Sequence, residues 1–186
     1  MAGPAKRRAT YTDLRAVPAH LVAELIGGEL HTQPRPAAPH ALAASMLGMI
    51  IGNPFHRGQG GPGGWIILDE PELHLGGDVL VPDLAGWRRE RMPELPDVAA
   101  FELAPDWVCE VLSLSTEAVD RAEKLPIFQR EQVSHVWLID PSVRTLEAFA
   151  LDSAGYRLLG TWREDALVRV PPFEAVPTEL GALWSR

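Results

Sequence analysis

The chain has 186 residues, enough for one domain with a sizeable core and too few for two ordinary ones. With 46% hydrophobic and 23% charged residues it has the composition of a soluble globular protein, and no apolar run approaches the roughly 20 residues of a membrane span. The net charge of −8 is opposite in sign to that of most nucleic-acid binders, but it is unevenly spread: residues 66–124 hold 14 acids against 5 bases, and the remainder is close to neutral.

In chain order, residues 1–10 form a basic segment (Lys6, Arg7, Arg8) expected to be a mobile tail, with a single domain over residues 11–186. No apolar stretch of signal-peptide type follows the tail, and the one cysteine, Cys109, lies in an apolar run, so a cytoplasmic protein with a buried inert thiol is expected. Thr12 and Asp13 are N-cap candidates, and Leu14, Val17, Leu21, Val22 and Leu25 have helical spacing, which predicts a helix broken near Pro18. Gly27-Gly28 turns the chain into a first strand at Glu29. Ala41 to Ile51 predicts a helix that is apolar around most of its surface, with His40 just before it as a capping or structural histidine rather than a catalytic one. The segment Gly52 to Gly64 contains GQGGPGG without the Gly-Lys-Ser/Thr that grips phosphate, and reads as a flexible loop.

Runs at Trp65 to Asp69, Leu73 to Gly76 and Val79 to Trp87 predict an antiparallel meander. Arg88, Arg89 and Arg91 follow it, either as a phosphate-holding rim or as a solvated loop. Trp107 to Leu112 is the next strand, with Asp106 as a turn acid at its start. Thr116 is a plausible N-cap for a helix from Glu117 that Pro126 should kink. His135 to Asp140 and Thr145 to Leu151 form a hairpin, and shorter strands at Tyr156 to Trp162 and Leu167 to Val170 precede a closing segment from Pro171. HExxH, CxxC and GxSxG are all absent from the sequence.

The chemistry concentrates between Asp78 and Lys124. Asp83 interrupts one strand-like apolar run and Glu110 another. An ionised carboxylate on a strand packed on both sides is costly unless a cation meets it, and one divalent metal answers for both acids. The helix that follows carries Asp120 and Lys124 at i, i+4 spacing, which brings a lysine one helical turn past the strand end. Two carboxylates to hold Mg²⁺, with Mn²⁺ as a possible substitute, and an ammonium to steady developing charge are the set needed for phosphodiester hydrolysis.

The segments VPDLAGW (81–87), PDWVCEVLSLST (105–116), DRAEKLPIFQREQV (120–133) and HVWLIDPSVRTLEAF (135–149) resemble the Uma2 family of the PD-(D/E)XK nuclease-like superfamily. The resemblance implies a restriction endonuclease-like α/β (α+β) fold, a mixed β-sheet flanked by helices. It matches Pro82-Asp83 to the superfamily's PD and Glu110 to its (D/E), and it gives the Val111 carbonyl to the metal. The superfamily lysine would fall on Leu112, so Lys124 is read as its relocated substitute. Glu29, where the family has an acid understood to face the site, is with Asp120 a second-tier candidate, or else a plain surface acid. Two function classes follow: a Mg²⁺-dependent endonuclease acting on DNA as a homodimer that cuts both strands, with RNA or another phosphodiester as an alternative substrate for the same carboxylates, or a catalytically inactive nuclease-fold module binding nucleic acid or a protein partner.

Overall fold

The computed structural model describes residues 7–185. Of the expected basic tail, residues 1–6 lie outside the described residues, whereas Arg7 pairs with Asp13 at 2.8 Å and the Ala9 amide donates to the Gly28 carbonyl. Helix α1 (Tyr11–Arg15) is closed by a capping box between Thr10 and Asp13.

Beyond it the structure departs from the helical reading. Leu21–Ile26 is strand β1, paired antiparallel with β2 (Glu29–Pro34). Gly27 (φ 60°) and Gly28 (φ 83°) both take left-handed conformations, the two-residue turn whose twist matches that of the flanking strands. The spacing of Leu21, Val22 and Leu25 leaves helix and strand both open, and pairing across this turn decides for strand.

Helix α2 (Ala38–Ile51) forms as expected but buries one face only, through Ala43, Leu47 and Ile51, while Met49 is exposed. It runs on into a π-helical turn at Gly52–His56, where the Arg57 amide bonds to the Gly52 carbonyl, so the glycine loop begins later than its sequence implies.

Strands β3 (Trp65–Asp69), β4 (Leu73–Leu75), β5 (Asp78–Leu80) and β6 (Leu84–Arg88) are nested hairpins rather than the expected meander: β3 pairs with β6, and β4 with β5. Val81-Pro82-Asp83 separates β5 from β6, and a proline that cannot donate to a ladder suits this break. After β7 (Trp107–Val111) come α3 (Glu117–Val119), a π-helical turn at Asp120–Lys124 and α4 (Leu125–Arg130), and then β8 (His135–Asp140) returns parallel to β7. An antiparallel meander does exist, in β8, β9 (Thr145–Asp152) and β10 (Gly155–Arg163). Short strands β11 (Leu167–Val168) and β12 (Thr178–Glu179) and a 3-10 turn at Leu180–Leu183 close the chain.

The fold is thus α+β, with a six-stranded mixed sheet in the order β10-β9-β8-β7-β6-β3 and a four-stranded sheet in the order β2-β1-β5-β4. Strand β7 is central and buried on both faces, which explains its unbroken apolar pattern. On one face Trp107 and Cys109 join Leu47 of α2 and the C-terminal segment. On the other, Val108 joins Ile127 and Phe128 of α4 and the inner face of the smaller sheet.

Phe173 centres the first of these cores, its ring 4.7 Å from Phe55, 4.9 Å from Trp65 and Trp107, and 5.6 Å from Trp137. Such a ring is surrounded too completely for its neighbours to collapse into the space it leaves. Phe173→Ala is expected to lose about 3–5 kcal/mol of stability, read as a lowered urea midpoint with an unchanged slope.

Candidate active site

The antiparallel register pairs Leu84 with Cys109 and Ala85 with Val108, so one step further sets Asp83 beside Glu110 at the same end of the sheet. Asp83 stands just outside the ladder. Its Oδ2 accepts the Val111 amide at 2.7 Å, and its Oδ1 lies 3.4 Å from Nε2 of His40 on α2.

Glu110 projects to the opposite face, toward the helix. There the Lys124 ammonium lies 3.3 Å from Glu110, 3.0 Å from Glu24 on β1 and 3.0 Å from Asp120. Lys124 and Glu110 are each 3% exposed, and Asp120 is 2%. The π-helical turn makes this possible: the Leu125 amide bonds five residues back to the Asp120 carbonyl, so one wide turn carries both Asp120 and Lys124 inward. Pro126 then sits in the first turn of α4, where its missing donor costs nothing, and the expected kink is a π turn instead.

Three carboxylates therefore meet one ammonium. Burial, with the charges of Asp120, Asp83 and Glu24, pushes the Glu110 carboxyl well above the ordinary glutamate range despite Lys124. Burial alone would lower the lysine, but the charges of Glu110, Glu24 and Asp120 raise it well above its ordinary value, so it stays cationic. His40 is likewise pulled down by burial and pulled up further by the Asp83 carboxylate, the Val111 backbone and the charge of Asp120.

Two cavities meet at Asp83 and His40. One, of about 440 Å³, runs between α2 and the ends of β3 and β6. The other, of about 210 Å³, is lined by Glu110, Val111, Asp120 and Lys124. A third, of about 160 Å³, continues along β2 past Thr116 and Asp120. The group is therefore open to a ligand along an extended trough.

Asp83, Glu110, Val111, Asp120 and Lys124 thus line one cavity together. Glu29 does not join them: it is exposed at the hairpin turn and lines none of these three cavities. The acid delivered by this hairpin is Glu24, two residues further from the turn than Ile26, the partner of Glu29, and about 7 Å along the strand. Reading β1 as a helix hid it, although an acid within LVAELI is the same signal that singled out Asp83 and Glu110.

The arginines after β6 are also absent, because they stand at the far end of the strand from Asp83. Arg88 covers the Trp65 ring at 4.6 Å, Arg89 donates to the Pro93 carbonyl, and Arg91 pairs with Asp106 at 3.0 Å. Asp106 is the turn acid expected, accepting the Arg88 amide. Thr116 makes no capping bond with its side chain and instead meets Ser113 at 3.0 Å.

Removing the ammonium would leave three buried carboxylates facing one another. Lys124→Met is expected to lose about 3–5 kcal/mol near neutral pH. A carboxyl whose folded pKa is raised contributes stability that is intact below its unfolded value and lost as pH rises through the folded one. The deficit of Lys124→Met should therefore widen from pH 5 to pH 8, and Glu110→Gln in the same chain should restore part of it; urea unfolding in chelator-treated buffer reads both.

The comparisons with known proteins agree with this architecture. The crystal structure of a protein described as "a putative nuclease belonging to DUF820", from Anabaena variabilis, superposes with a TM-score of 0.71 at 21% identity, over 94% of this chain and 97% of that one. No curated protein matches. The family model for Uma2, described as "Putative restriction endonuclease", matches residues 9–181. Nearly the whole described fold, from helix α1 and the strand pair that supplies Glu24 to the start of the 3-10 turn at the C-terminus, falls within that match, and the chain belongs to the Uma2 family.

Proposed function

We propose that the protein is a metal-dependent endonuclease hydrolysing phosphodiester bonds in DNA, with Asp83, Glu110 and the Val111 carbonyl holding a divalent ion, Mg²⁺ or Mn²⁺. The observation that carries this reading is the meeting of Asp83 and Glu110 at one end of adjacent strands, within a trough, beside a buried lysine. The donors are hard oxygens, which suit Mg²⁺. Among the described residues no three His, Cys, Asp or Glu side chains form a ready-made ligand cluster. That is compatible with an ion of this type, which is commonly held by one or two carboxylates and completes its shell with water and substrate phosphate oxygens.

The bound ion would polarise the phosphate and lower the pKa of a bound water. The chain's own residues do the rest. The Val111 amide fixes the direction of Asp83, and Lys124 fixes that of Glu110 from the other side. Asp120 and Glu24 hold the ammonium in turn. Lys124 thereby supplies positive charge next to the reacting phosphate while being spatially committed to carboxylates. A homodimer in the cytoplasm, cutting the two strands from two sites, is the assembly that goes with this activity.

That commitment of Lys124 to three carboxylates also favours a second reading, a nuclease-fold module that binds nucleic acid without cutting it. Plasmid nicking separates the two. With Mg²⁺ or Mn²⁺ the parent should convert supercoiled DNA, and Asp83→Asn and Glu110→Gln should each slow it by about a thousandfold, since loss of metal assistance forfeits several kcal/mol of the barrier reduction. DNA retained on a filter by parent and variants alike, with no nicking by any of them at any metal concentration, would establish the module.

A further inference from the structure

His40 is the one histidine lining the two cavities that contain Asp83, and it stands at their junction. Helix α2 carries it at a fixed height, because Ala43, Leu47 and Ile51 lock the helix onto the sheet. The ring is 15% exposed, and its Nδ1 is buried without a hydrogen-bond partner. Its Nε2 lies 3.4 Å from Asp83 Oδ1, longer than the 2.7–3.2 Å span usual for a hydrogen bond between nitrogen and oxygen. The Val111 backbone lies against the same ring. The imidazole therefore faces Asp83 and the Val111 backbone, two of the three groups proposed to hold the ion.

The spacing has another meaning. Neighbouring donors around an octahedral ion with bonds of about 2.1 Å lie about 3 Å apart, so an N···O separation of 3.4 Å is close to one edge of such a shell. An imidazole in that shell changes its preference, because nitrogen donors favour first-row transition ions over Mg²⁺.

We infer that His40 is a ligand of the cation site, giving Nε2 as a nitrogen donor beside Asp83, and that the site accordingly takes Mn²⁺ in preference to Mg²⁺. This rests on the metal-site reading of the preceding section. Asp83, Glu110 and the Val111 carbonyl supply the hard donors, and His40 supplies the discrimination between ions. The His40 side chain comes from α2 and Lys124 from the other face of the sheet, so the cation would stand at the strand ends between them, within reach of Glu110, while the ammonium stays among its carboxylates.

Electron spin-echo modulation of the full chain loaded with Mn²⁺ tests this without any substrate. The parent should show ¹⁴N modulation from a directly bound imidazole, and His40→Gln should lose it while still binding Mn²⁺. Calorimetry on the same samples should show the affinity for Mn²⁺ falling about tenfold or more in the variant, with that for Mg²⁺ changing less. If His40→Gln fails to fold, ¹⁵N-histidine in the unaltered chain replaces it, and the modulation should change to that of ¹⁵N. Mn²⁺ bound in an Asp83-dependent way without nitrogen modulation, or with modulation that survives His40→Gln, would overturn the role of His40 and leave the metal site standing. Failure of the parent to bind Mn²⁺, alone and with a DNA duplex, would overturn both.

Discussion

The ammonium of Lys124, buried among Glu24, Glu110 and Asp120, is the interaction on which the geometry of the site depends. None of these charges would be stable at this depth alone, because each has lost its water, and only mutual contact makes up the loss. The cost of misplacing any one of them makes the cluster a ruler. It sets the distance between the central strand β7, the helix that follows it and the strand β1 of the smaller sheet. Glu24 extends the constraint further, since the oxygen that meets Lys124 also accepts the Val81 amide at 2.8 Å. That bond pins the backbone two residues before Asp83. One lysine thus governs, directly or through one intermediary, the position of both strand-end acids.

Such a cluster needs a helix that turns two residues four apart into the protein at once. An ordinary α-helical path would serve, but Pro126 lies two residues beyond Lys124 and cannot donate to the carbonyl four residues before it. The chain widens into a π turn just ahead of the proline, and the widened turn carries Asp120 and Lys124. The same device appears at the end of α2, where Pro54 lies inside the second π turn. In both places a proline that would break a helix is absorbed by relaxing its pitch, and the chain keeps its direction.

The acids on β7 and before β6 were legible because both strands are covered on both faces, so that one charged residue in an apolar run has no exposed side to explain it. Lys124 was legible from its spacing to Asp120. What escaped lies where sequence distance misrepresents spatial distance. Arg88 is five residues from Asp83, yet on an extended strand that is about 17 Å, the length of β6. His40 is 43 residues from Asp83 in the chain and 3.4 Å from it in space, a contact that only the packing of α2 on the sheet produces. Glu24 was lost for a third reason: a short run containing Leu21, Val22 and Leu25 satisfies two periods, and a pair of glycines with positive φ settles which one is used.

The acidity of the chain, opposite in sign to what would attract a polyanion, has a local explanation. The arginines that follow Asp83 face Trp65, Pro93 and Asp106, Arg121 beside Asp120 is held by Glu117 and Glu147, and Arg35 at the rim lies 3.8 Å from Glu70. Four carboxylates and one ammonium leave a negative excess where a phosphate would have to approach. The protein by itself meets this excess by favouring a proton on Glu110, whose carboxyl is raised above the ordinary glutamate range by burial and the neighbouring acids. On the metal-site reading a divalent cation answers it instead, and turns a region that repels phosphate into one that attracts it. Substrate entry and assembly of the reactive group then become one event, because the ion that neutralises the trough is the ion that acts on the bond. On that reading an acidic site needs no basic surface to be selective about when it engages a phosphodiester.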